Sequence, residues 1–266
     1  MDPALNGRAA AAHPPLAAHG LCVRAGTRDL VADFSAEFGP GELVAILGRN
    51  GSGKTLTLHT LAGLRQPQSG AVSLNGVTLG NLGRREIARH LGLLMQDTED
   101  AFTTTALEAV LIGRHPHLAL WQWEGAEDER IARAALARVD MADAADRNTS
   151  SLSGGEQRRV AIASLLAQDP QVFLLDEPTN HLDPHHQLAV LGLFRELARS
   201  GRTVVVTLHD PTLAARFADR VVLLFGDGRW LAGPCETVLT SEALSELYLA
   251  PMKEIVAEGR RIFVAA

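Results

Sequence analysis

Apolar and acidic positions alternate through residues 29–38 (DLVADFSAEF), a strand signature, and Gly39-Pro40-Gly41 closes it with a turn. Residues 42–47 (ELVAIL) are a short apolar run that ends in glycine, which predicts a buried strand. A Gly-rich loop follows, then a helix from about Lys54. Residues 71–79 (AVSLNGVTL) read as a hairpin around Asn75-Gly76, and Leu91–Met95 is another short apolar run. From Asp97 to about Ala167 the texture is helical. The acidic run at 127–130 opens one helix, with Ile131, Ala135 and Val139 on one stripe. A second helix spans Gly154 to about Gln168, with Val160, Ala163, Ser164 and Ala167 facing inward. Strand–helix alternation then returns: VFLL (172–175), a helix after Pro184, TVVVTL (203–208), a helix after Pro211, and VVLLF (221–225). Such alternation predicts an α/β fold with a mostly parallel sheet, interrupted by a helical insertion. No internal repeat is visible, which excludes a tandem duplication.

Composition narrows this picture. The 266 residues are 46% hydrophobic and 21% charged, which is globular usage and excludes a disordered or fibrous chain. A formal net charge of -6 and 5% aromatics argue against a nucleic-acid binder with a basic face or stacking platform, so no nucleic-acid partner is expected. Cys22 and Cys235 cannot build a disulfide framework. No apolar stretch approaches the ~18–20 residues that span a bilayer. Residues 1–19, Ala-rich and broken by His13-Pro14-Pro15, lack the apolar core of a signal peptide and read as a flexible leader.

The chemistry concentrates in three motifs. Gly48, Arg49, Asn50, Gly51, Ser52, Gly53, Lys54 and Thr55 match G-x-x-x-x-G-K-[ST] between a predicted strand and a predicted helix. Glycines let backbone N–H groups curl around phosphate oxygens, and the helix N-terminus adds positive potential. Lys54 can reach the β- and γ-phosphates, and the Thr55 hydroxyl can ligate Mg²⁺. The apolar strand 172–175 ends in two carboxylates. Asp176 there suits a metal ion, and Glu177 suits a general base for an attacking water. In Leu152-Ser153-Gly154-Gly155-Glu156-Gln157, Ser153 and Glu156 form a capping box. Two glycines in the first helical turn weaken a helix but suit the approach of a phosphate.

These motifs resemble the ATP-binding cassette (ABC) family over about residues 20–266. LSGGEQ (152–157) looks like the family signature and FLLDEP (173–178) like its Walker B segment. Asn180-His181-Leu182-Asp183 stands at the D-loop, Gln96 at the Q-loop and His209 at the switch histidine. The resemblance implies a P-loop NTPase core with a mostly parallel sheet, an antiparallel β subdomain and an inserted helical subdomain. It divides the chain into a leader (1–19) and one nucleotide-binding domain, with core about 20–96 and 162–266 and helical subdomain about 97–161. It also implies ATP and Mg²⁺ as cofactors. Glu177, His209 and Gln96 would be catalytic, and Thr55, Gln96 and Asp176 would hold the metal. Residues Gly48 to Thr55 would bind nucleotide in one copy. Ser153, Gly154, Gly155, Glu156 and Asp183 would meet the nucleotide of a head-to-tail second copy.

One departure concerns the base. The family places an aromatic residue on adenine ahead of the phosphate loop, and Ala25 stands there, with Arg24 as an alternative stacker. Looser adenine grip and weak discrimination between ATP and GTP are expected.

Phe102–Thr105, Leu107-Glu108-Ala109-Val110 and Gly113-Arg114-His115-Pro116-His117 resemble the segment after the Q-loop in importers of iron–siderophore, haem and cobalamin. There the segment builds the groove that receives a helix of the membrane subunit. His115 and His117, separated by Pro116, read as surface or interface residues rather than as a metal pair, and His185 and His186 as solvated helix residues. Trp121 and Trp123 are expected to pack the helical lobe. The ending 228–266 resembles the short ending of these importer ATPases and leaves no room for a regulatory domain. The expectation is an ATPase subunit peripheral to the cytoplasmic face of a bacterial inner membrane. Its partners would be a second copy, two polytopic permease subunits and, indirectly, a substrate-binding protein. The alternative is an exporter or lipid-trafficking ATPase, against which the GR-x-PH segment argues.

Overall fold

The antiparallel part comes first along the chain. In the computed structural model, which describes residues 13–96, 104–119 and 121–266, the strands β1 (Leu16–Ala25) and β2 (Arg28–Phe38) form a long hairpin. Strand β3 (Leu43–Leu47) and helix α1 (Lys54–Leu61) flank the phosphate loop. Strands β4 (Ser69–Leu74) and β5 (Val77–Thr78) complete a four-stranded sheet in the order β2-β1-β4-β5. Their turn is the expected one: Asn75 and Gly76 both take positive φ, at 50° and 80°. Residues 16–19 belong to β1, with Leu16, Ala17 and Ala18 buried, so the expectation of a leader through residue 19 is corrected. The apolar Leu16-Ala17-Ala18 run lies across the sheet from Leu74, Ser73 and Val72. Residues 1–12 lie outside the described residues.

Helix α2 (Arg84–His90) leads into β6 (Leu91–Leu94), after which the helical lobe follows. It holds α3 (Ala106–Leu111), α4 (Ala126–Ala137) and the N-terminal half of α5 (Gly154–Gln168). Then come β7 (Val172–Leu175), α6 (Pro184–Arg199), β8 (Thr203–Leu208), α7 (Pro211–Phe217), β9 (Arg220–Leu224) and β10 (Trp230–Pro234). The short α8 (Cys235–Val238) and α9 (Ser241–Tyr248) precede a terminal hairpin of β11 (Met252–Ala257) and β12 (Arg260–Ala265). The central sheet runs β10-β9-β3-β8-β7-β6, parallel except for β10.

Period-2 alternation sorts each central strand onto two cores. Leu43, Ala45 and Leu47 face one with Phe173, Leu175, Val204 and Val206. Val44 and Ile46 face the other with Val172, Leu174 and Val205. The first core continues into the helical lobe and the C-terminal helices, and the second is closed by α1 and the antiparallel sheet. The site therefore sits where strand ends emerge between two packed layers.

Further details add to the sequence reading or depart from it. Helix α5 runs unbroken through 161–162, where the lobe boundary is expected, because nothing between Gly154 and Gln168 interrupts it. Its buried residues occupy most of its circumference rather than one stripe. In α4 the buried set is Ala132, Ala135 and Leu136, with Ile131 only half-buried. Trp121 and Trp123 do not pack the lobe; they are 93% and 86% exposed. The lobe interior is filled by small and aliphatic side chains, Ala106, Val110, Ala132, Ala135, Val160 and Ala163 among them, and the indoles stay outside.

Candidate active site

Gly53 closes the phosphate loop at φ 101°, a left-handed conformation that a side chain would strain. It delivers Lys54 into the first turn of α1. The Lys54 side chain is buried, and its Nζ donates to the Gly48 carbonyl at 3.0 Å. Burial pulls its pKa below the ordinary lysine value, opposed by the nearby Glu177 and Asp176 carboxylates. Nζ stands 3.7 Å from Glu177 Oε1. His209 Nε2 is 2.5 Å from the same oxygen, and Asn180 Nδ2 donates to Oε2 at 2.6 Å. The Glu177 backbone is left-handed at φ 47°, a costly conformation for a non-glycine residue, held because its N–H donates to Thr207 Oγ1 at 2.8 Å.

Thr207 then donates its hydroxyl proton to Asp176 Oδ1 at 2.7 Å. Asp176 is fully buried, and its Oδ2 is buried with no hydrogen-bond partner. A carboxylate with one committed and one free oxygen, at the end of the strand behind the cleft, fits a hard divalent cation with oxygen ligands. Thr55 and Gln96 line the same cleft as Lys54, Glu177 and His209, together with Asn50, Gly51 and Gly53. Its volume is about 660 Å³. Gly48 and Ser52 sit buried beneath the loop, and Arg49 contributes its carbonyl at 3.5 Å from Lys54 Nζ.

Ala25 lines this cleft as expected, but Arg24 does not stack over it. Its guanidinium is held by Asp29 at 2.6 Å. Arg28, paired across the hairpin from Ala25, lines the cleft in its place. A residue three positions from Ala25 is brought opposite it only by the tight turn through Gly26, which composition does not reveal.

The signature residues are not brought to this cleft within one chain. Ser153, Gly154, Gly155 and Asp183 line a separate surface depression with Arg159, His181 and His186. A Cβ on Gly154 would meet nothing within 4 Å, so its bare backbone faces open space. Ser153 caps α5 in the expected capping box with Glu156. The Glu156 carboxylate is committed there: it accepts from Ser153 N–H at 2.8 Å and from Arg147 at 2.9 Å. Those bonds, the Ser153 backbone first, hold its pKa down to about 2. Asp183 caps α6 and accepts from His186, which keeps its pKa low. His186 also contacts Arg159 at 3.1 Å and is half-buried rather than solvated.

Sequence reasoning missed Arg158. Its guanidinium, buried among carbonyls, donates to Gln96 O at 3.1 Å, Asp176 O at 2.6 Å and Glu177 O at 2.9 Å, and also to Met95 O. It thus ties the signature helix to both the Gln96 segment and the carboxylate pair. An arginine on the inward face of a helix was the available signal.

The GR-x-PH segment is pinned to α5. Arg114 bonds Asp128 at 3.0 Å and the Ala167 carbonyl at 2.7 Å, and the His117 ring bonds the Gln168 carbonyl at 2.8 Å. His115 instead meets Glu124 at 2.9 Å, so the two histidines point to different partners. Among the described residues no group of three or more His, Cys, Asp or Glu side chains gathers as a metal site. Phe102 and the rest of 97–103 lie outside the described residues. Beside the segment, Leu93, Met95, Ala109, Ile112, Ala161 and Leu165 line an apolar groove.

Known proteins resemble this chain in sequence and fold. The family model for ABC transporters matches residues 31–180. The hemin import ATP-binding protein HmuV of Gloeobacter violaceus is 43% identical over 235 residues, covering 85% of this chain and 84% of that protein. HmuV of Rhizobium meliloti is 36% identical over 253 residues, covering 92% and 95%. Among solved structures, a chain of an inward-facing ABC transporter described as of metal-chelate type superposes with TM-score 0.83 at 28% identity, covering 95% of this chain and 97% of that one. A dimeric ATP-binding cassette in a post-hydrolysis state with ADP and Pi superposes with TM-score 0.72 at 27% identity, covering 83% and 98%. The chain belongs to the ABC transporter family, as one of its ATPase cassettes.

Proposed function

We propose that this chain is the ATP-hydrolysing subunit of a bacterial importer of a metal chelate, with haem as the favoured cargo. Two copies would work head to tail on two permease subunits at the cytoplasmic face of the inner membrane, fed by a substrate-binding protein. The observation that carries the reading is the Glu177 carboxylate, gripped by Lys54, His209 and Asn180 at the floor of the phosphate-loop cleft. Similarity to hemin import proteins supports the cargo and the direction.

In the proposed mechanism the loop amides of Gly48 to Thr55 and the Lys54 ammonium bind the β- and γ-phosphates of ATP. Glu177 accepts a proton from the attacking water, and His209 contacts the γ-phosphate while fixing the Glu177 carboxylate. Mg²⁺, when bound by Thr55, Asp176 and Gln96, supplies charge neutralisation for the phosphates. Ser153, Gly154 and Gly155 of one copy close over the ATP of the other, with Glu156 holding the start of α5 that presents them and Asp183 capping α6 beside them. Ala25 offers adenine no ring to stack on; stacking is worth ~1–3 kcal/mol, so ATP and GTP should bind within about tenfold of each other. The apolar groove beside Ile112 and Leu165 would take a permease helix. Differential affinity of ATP for the closed pair is what converts binding into motion.

The test is transport. The chain, co-purified with its permease subunits and reconstituted with the binding protein into liposomes, should take up haem in an ATP-dependent manner and lose uptake with Glu177→Gln. Uptake of a siderophore or cobalamin in place of haem would redirect the cargo; outward transport would overturn the importer reading.

A further inference from the structure

Two buried polar atoms beside the phosphate loop face each other without a hydrogen bond. One is Oδ2 of Asp176, whose side chain is wholly buried. The other is Nε2 of His59, on the second turn of α1, whose side chain is 22% exposed. They stand 4.0 Å apart. Each orphaned polar atom costs a fold about 1–3 kcal/mol, so a facing pair of them calls for a physical cause. The separation is about 1 Å longer than a hydrogen bond, and neither atom touches solvent, so a small side-chain shift is enough to join them.

The surroundings say what this pair can do. Asp176 Oδ1 is already taken by the Thr207 hydroxyl at 2.7 Å. That leaves Oδ2 as the oxygen available to a ligand, and His59 as the side chain that stands against it. His59 lies four residues after Thr55, so the two share one face of α1, a turn apart. The helix thus carries both a cation ligand of the proposed site and, one turn deeper, a ring nitrogen directed at the carboxylate opposite. Groups one step removed from a metal orient its ligands, and their loss typically costs 10–100-fold in metal affinity, roughly.

We propose that His59 is a positioning residue for the metal-holding carboxylate: a side-chain shift of about 1 Å lets its Nε2–H donate to Asp176 Oδ2, which fixes the orientation in which Asp176 meets the cation. This rests on the reading of Thr55 and Asp176 as the cation site. His59 does not line the cleft that Lys54, Thr55 and Glu177 line. Its effect should therefore be felt in metal affinity and leave metal-free nucleotide binding untouched.

The experiment measures Mn²⁺ binding by electron paramagnetic resonance to the full-length protein with saturating ATP. A Glu177→Gln background prevents turnover. His59→Leu removes the donor; His59→Gln keeps an N–H donor at similar reach. ATP affinity in EDTA is measured for each. The expected result is Mn²⁺ affinity lowered about tenfold or more in His59→Leu, largely restored in His59→Gln, with equal ATP affinity in EDTA throughout. Unchanged Mn²⁺ affinity in His59→Leu overturns the proposal, as does an equal loss in both variants. A parallel loss of ATP affinity in EDTA overturns it too, since His59 would then support the nucleotide or the fold. If the background protein itself binds no Mn²⁺ with ATP, the cation reading on which the proposal rests fails first.

Discussion

At the Glu177 carboxylate an ammonium, an imidazole and an amide meet, and the strained backbone beneath is held by one hydroxyl, that of Thr207. Thr207→Val keeps the shape of the side chain but removes both the acceptor for Glu177 N–H and the donor to Asp176. Steady-state ATPase assays should show kcat lowered ~10–100-fold, and the denaturant midpoint should fall too, since two buried polar atoms lose their partner at about 1–3 kcal/mol each. The lysine, the carboxylates and the histidine were legible in the sequence because each belongs to a contiguous motif whose local backbone dictates its place. Thr207 was not, since a threonine inside TVVVTL reads as strand former until the neighbouring strand brings Asp176 against it. Glu156 offers a second residue-scale check. Its pKa falls from 4.5 to about 2 in the fold, a depressed carboxylate, so its stabilisation is present above the unfolded value and is lost as pH falls. Thermal unfolding of wild type and Glu156→Gln should differ above about pH 5, and the gap should close between about pH 4.5 and 2. A gap that persists at pH 2 would mean the capping box does not depend on this charge.

Among elements, α5 does two tasks that its pattern alone did not separate. Its start presents Ser153, Gly154 and Gly155, and its interior carries Arg158 into a cage of carbonyls from the Gln96 segment and from the end of β7. The helix was readable from its capping box and apolar periodicity. The arginine's role was not, because its acceptors come from segments 62 and 18 residues away. Arg158→Met should leave several buried carbonyls without a donor and cost more than about 2 kcal/mol, read as a lower denaturant midpoint. The same change should weaken the link between the Gln96 segment and the carboxylates. β1 was misread at its start for a related reason: Leu16-Ala17-Ala18 follows two prolines and resembles a polyalanine tail, and only pairing with β4 buries it. The two tryptophans were misplaced by the opposite error, in which size was taken for burial although small side chains already fill the lobe.

For the whole molecule, the separation of two half-sites is the decisive feature. The Lys54–Glu177 cleft and the Ser153–Gly155 depression share no residue. The order of motifs made the α/β layers and the helical insertion predictable. The exposed bare backbone at Gly154 leaves room for the nucleotide that the proposed second copy would bring. The central claim, that ATP is hydrolysed between two copies with Glu177 as base, is tested most directly by light scattering on Glu177→Gln with ATP and Mg²⁺. The protein should bind ATP, lose hydrolysis by ~10²–10⁴-fold and run as a dimer that reverts to monomer when ATP is removed. A variant that stays monomeric with bound ATP, or that hydrolyses ATP at the wild-type rate, would contradict the account.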